Sequence, residues 1–363
     1  LFQPGGKGMA DQTSENRTGD LVQVKIFVGF IAAVIGVIIL KELKNIFIPL
    51  FMALLLYFFF NGVVRRLVRL RVPKALILTF LLVFIFIVFY FFGVLIYAGA
   101  SSFVDKFPTY SDKIAAAVKS VSDQLKISIP NLDKYIENLD WTKNIDTSAI
   151  TSIISSTFGS FAVFIGNLML VLIFLMFMLA SRNALTGRVT RAFDEKRADK
   201  IKYVINSIED QVQHYLLIKT LVSFMTGFLC GIILFAGQFD FVIFSALLIF
   251  MLNFIPNFGS VIATLFPISI GLLKFGLSFR VLVVALGLMI TQFVIGNIVE
   301  PKITGRSLNL SPIVILISLI FWGYVWGIVG MMLAVPLTSA LKIFFENIPG
   351  LKPIAELISA DRR

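Results

Sequence analysis

Five stretches of this chain, Ile26–Leu40, Ile46–Phe60, Ala75–Phe92, Phe161–Ala180 and Val281–Ile290, carry no charged residue and are apolar along almost their whole length. A helix in a soluble domain is apolar on one face only. Runs that are apolar all the way round need hydrocarbon around them. Of all residues, 58% are hydrophobic and 15% charged, and the charges crowd into the segments between the runs. The fold class is therefore all-α: a polytopic membrane helix bundle of about eight spans.

The net charge of +11, from 32 Lys and Arg against 21 Asp and Glu, would suggest a nucleic-acid partner in a soluble protein. Here no basic, aromatic-interleaved soluble module is present to hold nucleic acid. The cations instead anchor loops against a lipid bilayer. One cysteine, Cys230, rules out an internal disulfide, and one histidine, His214, cannot build a His-based metal site. There is no HExxH motif, no Gly-rich phosphate loop and no pair of aspartates within an apolar run. No catalytic residue, metal or cofactor is expected, and the chain does not read as an enzyme.

Residues 1–20 divide into a tag remnant (Leu1–Gly8, with Met9 a natural start) and a polar cytoplasmic lead. Residues 21–100 hold the N-terminal transmembrane helices. Their loop Asn61–Lys74 carries Arg65, Arg66, Arg69, Arg71 and Lys74 with no acid, which places it in the cytoplasm. Residues 101–149 contain six lysines, no arginine and seven acids, as suits an extracytoplasmic segment. Val104, Phe107, Tyr110, Ile114 and Val118 recur at helical steps there; Pro130 ends that helix, and a short second one is expected over Leu132–Leu139. A transmembrane helix follows over 150–180, then a basic, amphipathic cytoplasmic helix over 181–215. Residues 216–346 form a transmembrane core with helix breaks, and 347–363 a cytoplasmic tail. Both termini are expected in the cytoplasm.

Within that core, Phe241–Ile255 and Val261–Leu273 fall short of the roughly 20 residues a span requires. They meet at a turn holding Asn253, Pro256, Asn257 and Gly259. Ile313–Phe345 is too long for one span and short for two, with Pro336 inside it. Such segments are broken or re-entrant helices, tolerated where protein or water meets the freed backbone groups. The turn residues either line a polar path or simply cap a tight interhelical loop. Asp240 reads as a turn residue.

Ionisable groups at membrane depth are scarce enough to be singled out. Lys219, just inside a span, either snorkels to the surface or faces a functional partner. Gln292, Gly296 and Glu300 align at four-residue steps with Asn297 beside them, and Pro301 puts a helix break next to the Glu300 carboxylate. Glu300 is then either a proton- or cation-exchanging group or the partner of Lys302 or Arg306.

Three segments, HYLLIKTLVSFMTG (214–227), LLIFMLNFIPNFGSVIATLFP (247–267) and GNIVEPKITGRSLNLSPIVILISLIFWGYVWGIVGMMLAVPLT (296–338), resemble the bacterial autoinducer-2 exporter family of permease-like proteins. The motifs fall in the family's order, and the likeness spans most of Leu21–Leu351. The resemblance implies an integral inner-membrane transporter of about eight spans that assembles as a homo-oligomer. It also implies export of autoinducer-2 or sodium (lithium)/proton antiport. By position it carries over Lys219, Asn253, Pro256, Asn257, Gly259, Asn297, Glu300 and Pro301 as transport candidates.

The expectation is a secondary transporter exporting a small polar solute, with Glu300 as coupling group and Lys219, Asn297 and Gln292 beside it. The alternatives are a monovalent-cation antiporter and a non-transporting membrane scaffold whose external helices bind a partner.

Overall fold

The computed structural model describes residues 27–29, 31–125, 147–256, 258–304 and 309–360. Among them the fold is helical, with a single isolated bridge between Leu310 and Ser359. Helix α1 (residues 31–42) is followed by α2 (Lys44–Arg69), α3 (Lys74–Leu125), α4 (Thr147–Ala192) and α5 (Glu195–Ala236). Next come α6 (Val242–Leu252), α7 (Phe258–Phe275) and α8 (Phe279–Val294), a π-helical turn (Ile295–Val299), α9 (Glu300–Thr304), α10 (Pro312–Glu346) and α11 (Lys352–Ile358). Seven helices among the described residues are long and apolar enough to cross a membrane. The chain is a multi-pass membrane protein.

The bundle has the polarity of a lipid-solvated molecule. Phe80, Phe84, Ile87 and Phe91 form an outward stripe on α3 and are all exposed, whereas Asn61, Glu209, Lys219, Ser223 and Asn253 are buried. One apolar cluster packs α2, α3, α4 and α5 around Ala53, Leu81, Leu175 and Val212. Another packs α5 with α6, α7 and α8 around Cys230, Leu234, Ile249, Ala263 and Leu288. Helix α5 belongs to both clusters and is the pillar of the fold.

The amphipathic helix expected outside the membrane is no separate element: α3 runs unbroken from its apolar part, Ala75–Phe103, to Leu125. The short helix expected over Leu132–Leu139 lies outside the described residues.

Two interruptions shape the C-terminal core. Helices α6 and α7 form a hairpin that doubles back at Asn253–Phe258. There Gly259 brings α7 so close to the carbonyl of Leu252 that no Cβ fits. Helix α10 is also a hairpin. Gly327 (φ 65°, ψ −143°) turns the chain inside it, and Gly330 then lies against the carbonyl of Trp322 with no room for a side chain. This break lies at Gly327 rather than at Pro336, because only glycine adopts that backbone geometry without strain. The Trp326 indole next to the turn donates to the carbonyl of Leu40 at 2.9 Å. That carbonyl lies at the end of α1, where Leu43 (φ −89°, ψ 21°) interrupts the helical ladder.

Gly259→Ala and Gly330→Ala should each cost about 1–3 kcal/mol or more by overpacking. Gly166→Ala, with open space around it, should leave stability unchanged or slightly higher. Thermal unfolding midpoints of the detergent-solubilised protein check both.

Candidate functional site

Tyr215, Lys219, Ser223 and Gly227 follow one another at four-residue steps and line one buried face of α5. The Lys219 side chain is 5% exposed and does not snorkel: its Nζ donates to Glu300 Oε1 at 2.6 Å. Glu300, 24% exposed, is thus joined to Lys219 across the bundle and not to Lys302, which is exposed; Arg306 lies outside the described residues.

Glu300 owes its position to Pro301. A proline at that place has no N–H to donate, and in a regular helix its ring would strike the carbonyl four residues back, that of Asn297. The turn Ile295–Val299 widens to the π form, and the Glu300 N–H bonds the Ile295 carbonyl five residues back. The break expected at Glu300–Pro301 is therefore a widened turn in a helix that continues to Thr304. Asn297 points elsewhere: it is exposed, and its amide donates to the Phe293 carbonyl at 3.2 Å. Gln292, two turns before Glu300, has its Nε2 buried with no hydrogen-bond partner among the described residues.

The other break docks on the same face of α5. Asn253 caps the end of α6, and its Nδ2 donates to Ser223 Oγ at 3.0 Å, both residues buried. Ser223 lies one turn, about 6 Å, beyond Lys219. Pro256 and Gly259 shape the hairpin turn rather than present polar groups, and Asn257 lies outside the described residues. The structure therefore unites Lys219, Glu300 and Asn253, adds Ser223, and leaves Asn297 on the outside.

The chemistry of this arrangement follows from its burial. Each ion loses hydration worth several kcal/mol, and close contact with its partner offsets that loss. A proton on Glu300 would cancel the charge pairing and leave the Lys219 cation inside the bundle without a counter-ion. An apolar cavity of about 290 Å³ lies elsewhere, between α2, α5 and α10, lined by Phe58, Ile208, Val212, Leu333 and Ala340 among others. The Lys219–Glu300 pair does not line it.

The chain matches the model of the AI-2E family transporter over residues 27–350. The chain belongs to that family. It is 32% identical to the "AI-2 transport protein TqsA" of Escherichia coli over 322 residues, 87% of this chain and 90% of that protein. It is also 32% identical over 339 residues to a Haemophilus influenzae relative named "Putative transport protein", covering 92% of this chain and 96% of the other. A Bacillus subtilis relative, "Putative transport protein YueF", is 26% identical over 325 residues, 84% and 85% of the two chains. The fold and this membership make the protein a membrane transporter of the AI-2E family.

A second carboxylate of this AI-2E transporter, more deeply buried than Glu300, escaped the sequence reading. Glu209, about 15 Å before Lys219 along α5, accepts from Tyr57 Oη at 3.0 Å, Asn61 Nδ2 at 2.9 Å and Arg65 at 2.9 Å. The donors stand at four-residue steps on α2, and Glu209, four residues after Ile205, borders the apolar face marked by Ile205, Ile208 and Val212. That coincidence of a polar stripe with an acid at the edge of an apolar face was the available signal.

Lys219→Met should destabilise the protein by on the order of 3 kcal/mol by leaving the half-buried Glu300 carboxylate without its cation. Adding Glu300→Gln should recover most of that loss. Thermal unfolding of the two variants beside the unsubstituted protein measures the recovery; its absence would show that the pair is not coupled.

Proposed function

We propose that this transporter exports a small polar solute, of the autoinducer-2 kind, across the bacterial inner membrane, and that protonation of Glu300 couples the movement. The observation that carries the reading is the pairing of buried Lys219 with the half-buried Glu300, set at a π turn and one helical turn from the Ser223–Asn253 contact. Ionisable groups at membrane depth are costly and tend to mark substrate or proton pathways. Two irregular helix segments meeting one polar face is the arrangement by which secondary transporters expose backbone and amide groups to cargo.

In the proposed cycle Lys219 and Glu300 hold the path shut while paired. A proton reaching Glu300 releases Lys219, and cargo groups with oxygen acceptors then meet Lys219, Ser223 and Asn253. The named relative TqsA supports the autoinducer-2 part of the reading. The basic Arg65–Lys74 region argues for the cytoplasm at that end of the bundle, and with it both termini inside. A homo-oligomer is part of the same proposal by family resemblance. Glu300 as an acceptor-only carboxylate favours one further cargo, a monovalent cation exchanged for protons.

Proteoliposomes holding the purified protein, loaded with labelled autoinducer-2 or with sodium, test the reading. Flux of the solute that responds to pH in the unsubstituted protein, and loses that response in Glu300→Gln, is the expected result. Equal pH response in the two proteins would remove Glu300 from coupling. Sodium-dependent proton movement without solute flux would favour the antiporter instead.

A further inference from the structure

Helix α3 continues past its membrane-spanning section to Leu125, and there Phe103, Lys106 and Tyr110 grip the base of the α6–α7 hairpin. Lys106 Nζ donates to Asp240 Oδ1 at 3.2 Å, and Tyr110 Oη, one turn on, donates to Asp240 Oδ2 at 2.6 Å. Asp240 stands in the loop entering α6. Lys274, at the far end of α7, donates to the same carboxylate at 3.0 Å and to the Gln238 carbonyl at 2.9 Å. One carboxylate therefore ties the two ends of the hairpin to each other and both to α3. Asp240 is no plain turn residue.

Rings complete the grip. Phe103 packs on Phe241 at 5.8 Å and on Phe266 at 6.0 Å, so it touches both limbs of the hairpin. Tyr110 lies 6.2 Å from Phe241, and the Lys106 ammonium stands 5.4 Å over the same ring. Phe241 presents its ring this way from a left-handed backbone, φ 57°. Further down α3, Gly99 lies against Phe244 with no space for a Cβ.

We propose that Asp240 is a positioning residue for transport: it fastens the α6–α7 hairpin to the outer continuation of α3, so that hairpin and extension move as one body when the Lys219–Glu300 pair opens. The inference rests on the transport reading above. The hairpin is the element that presents Asn253 to Ser223, so whatever holds its base sets where that amide stands. Lys106 and Lys274 are each partly exposed, and either ion pair alone contributes little. What is distinctive is the convergence of three donors from two elements on one carboxylate.

The titration of the groups is consistent with a tie that is closed under ordinary conditions. Burial and the neighbouring Asp240 push the Tyr110 hydroxyl above its usual range, so it stays a proton donor. Burial works against charge on Asp240, but the hydrogen bonds from Tyr110, Lys274 and Lys106 outweigh it and hold the carboxyl below its ordinary value. A lowered folded-state value means the tie is complete at neutral pH and loosens only as pH falls through that value. The charged and titratable groups around Asp240 are Lys106 and Tyr110 from α3 and Lys274 from α7. Arg280, at the head of α8, bonds the Gln238 side chain at 3.3 Å, and Lys113 reaches the Lys274 carbonyl at 3.4 Å.

Hydrogen exchange of the full chain in lipid nanodiscs, followed by mass spectrometry, tests the anchor without any cargo. Asp240→Asn should raise exchange in α6–α7 and in residues 104–125 together, by about tenfold, and should slow transport in proteoliposomes. The double variant Lys106→Gln/Tyr110→Phe, which removes both α3 donors but leaves Lys274 on Asp240, should loosen the same two segments and guards against a misfolded Asp240→Asn. The unsubstituted protein should acquire the loosened pattern as pH is lowered below the ordinary carboxylate range, while Asp240→Asn shows it at neutral pH with no further step. Unchanged exchange in α6–α7, loosening of residues 104–125 alone, or unaltered transport kinetics in both variants would overturn the proposal. Absence of flux in the unsubstituted protein would count against the transport reading, and the exchange result would still decide whether Asp240 fastens the hairpin.

Discussion

Hydrocarbon offers no hydrogen bonds, and that single fact orders the molecule. Every polar side chain drawn into the bundle has to find its partner within the protein or remain a costly orphan. Helix α5 is where most of them find it. Glu209, Lys219 and Ser223 are spaced along this one helix, and each receives a group from a different part of the chain: α2, the π turn before α9, and the end of α6. The apolar residues of the same helix, from Val212 to Leu234, hold two separate packing clusters together. Fold and site therefore share one scaffold, and a shift of α5 would be felt at every polar contact.

Much of this was legible in the amino acids. Long uncharged runs specify membrane helices because no other environment accommodates them, and the short segments around Asn253 reveal a hairpin by their length alone. Lys219 and Glu300 stand out because charge within such runs is rare. Their mutual contact was not legible: they are 81 residues apart, Glu300 has nearer cations in Lys302 and Arg306, and Lys219 reads equally well as a lysine snorkelling to the surface. Asn297 shows the converse limit. Its place beside the Gln292–Gly296–Glu300 row put it near Glu300, but the wide turn alters the angular step, and its amide turns back to the Phe293 carbonyl instead.

The position of the second chain reversal was hidden for a similar reason. Pro336 is the conspicuous helix-breaking residue in the last long apolar run, yet it sits inside a helix, and the chain reverses at Gly327. Proline costs a helix one hydrogen bond, whereas a reversal demands a backbone angle open to glycine. Several glycines in that run could have supplied it. Only the packing of Gly330 on the carbonyl of Trp322 and the seating of Trp326 at Leu40 select one of them. Glu209 was missed because it stands beside a second acid, Asp210, at the end of a basic segment that looks like an ordinary cytoplasmic surface.

The π turn that presents Glu300 has a geometric corollary. It holds one residue beyond what a regular turn accommodates, so the chain after it is rotated by about 100° relative to an unwidened helix. The bearing of the carboxylate is hence a matter of register rather than of side-chain rotamer. Excising a single residue between Ile295 and Val299 would swing an intact glutamate round the helix axis, out of reach of its lysine, with no change in the chemistry of either group.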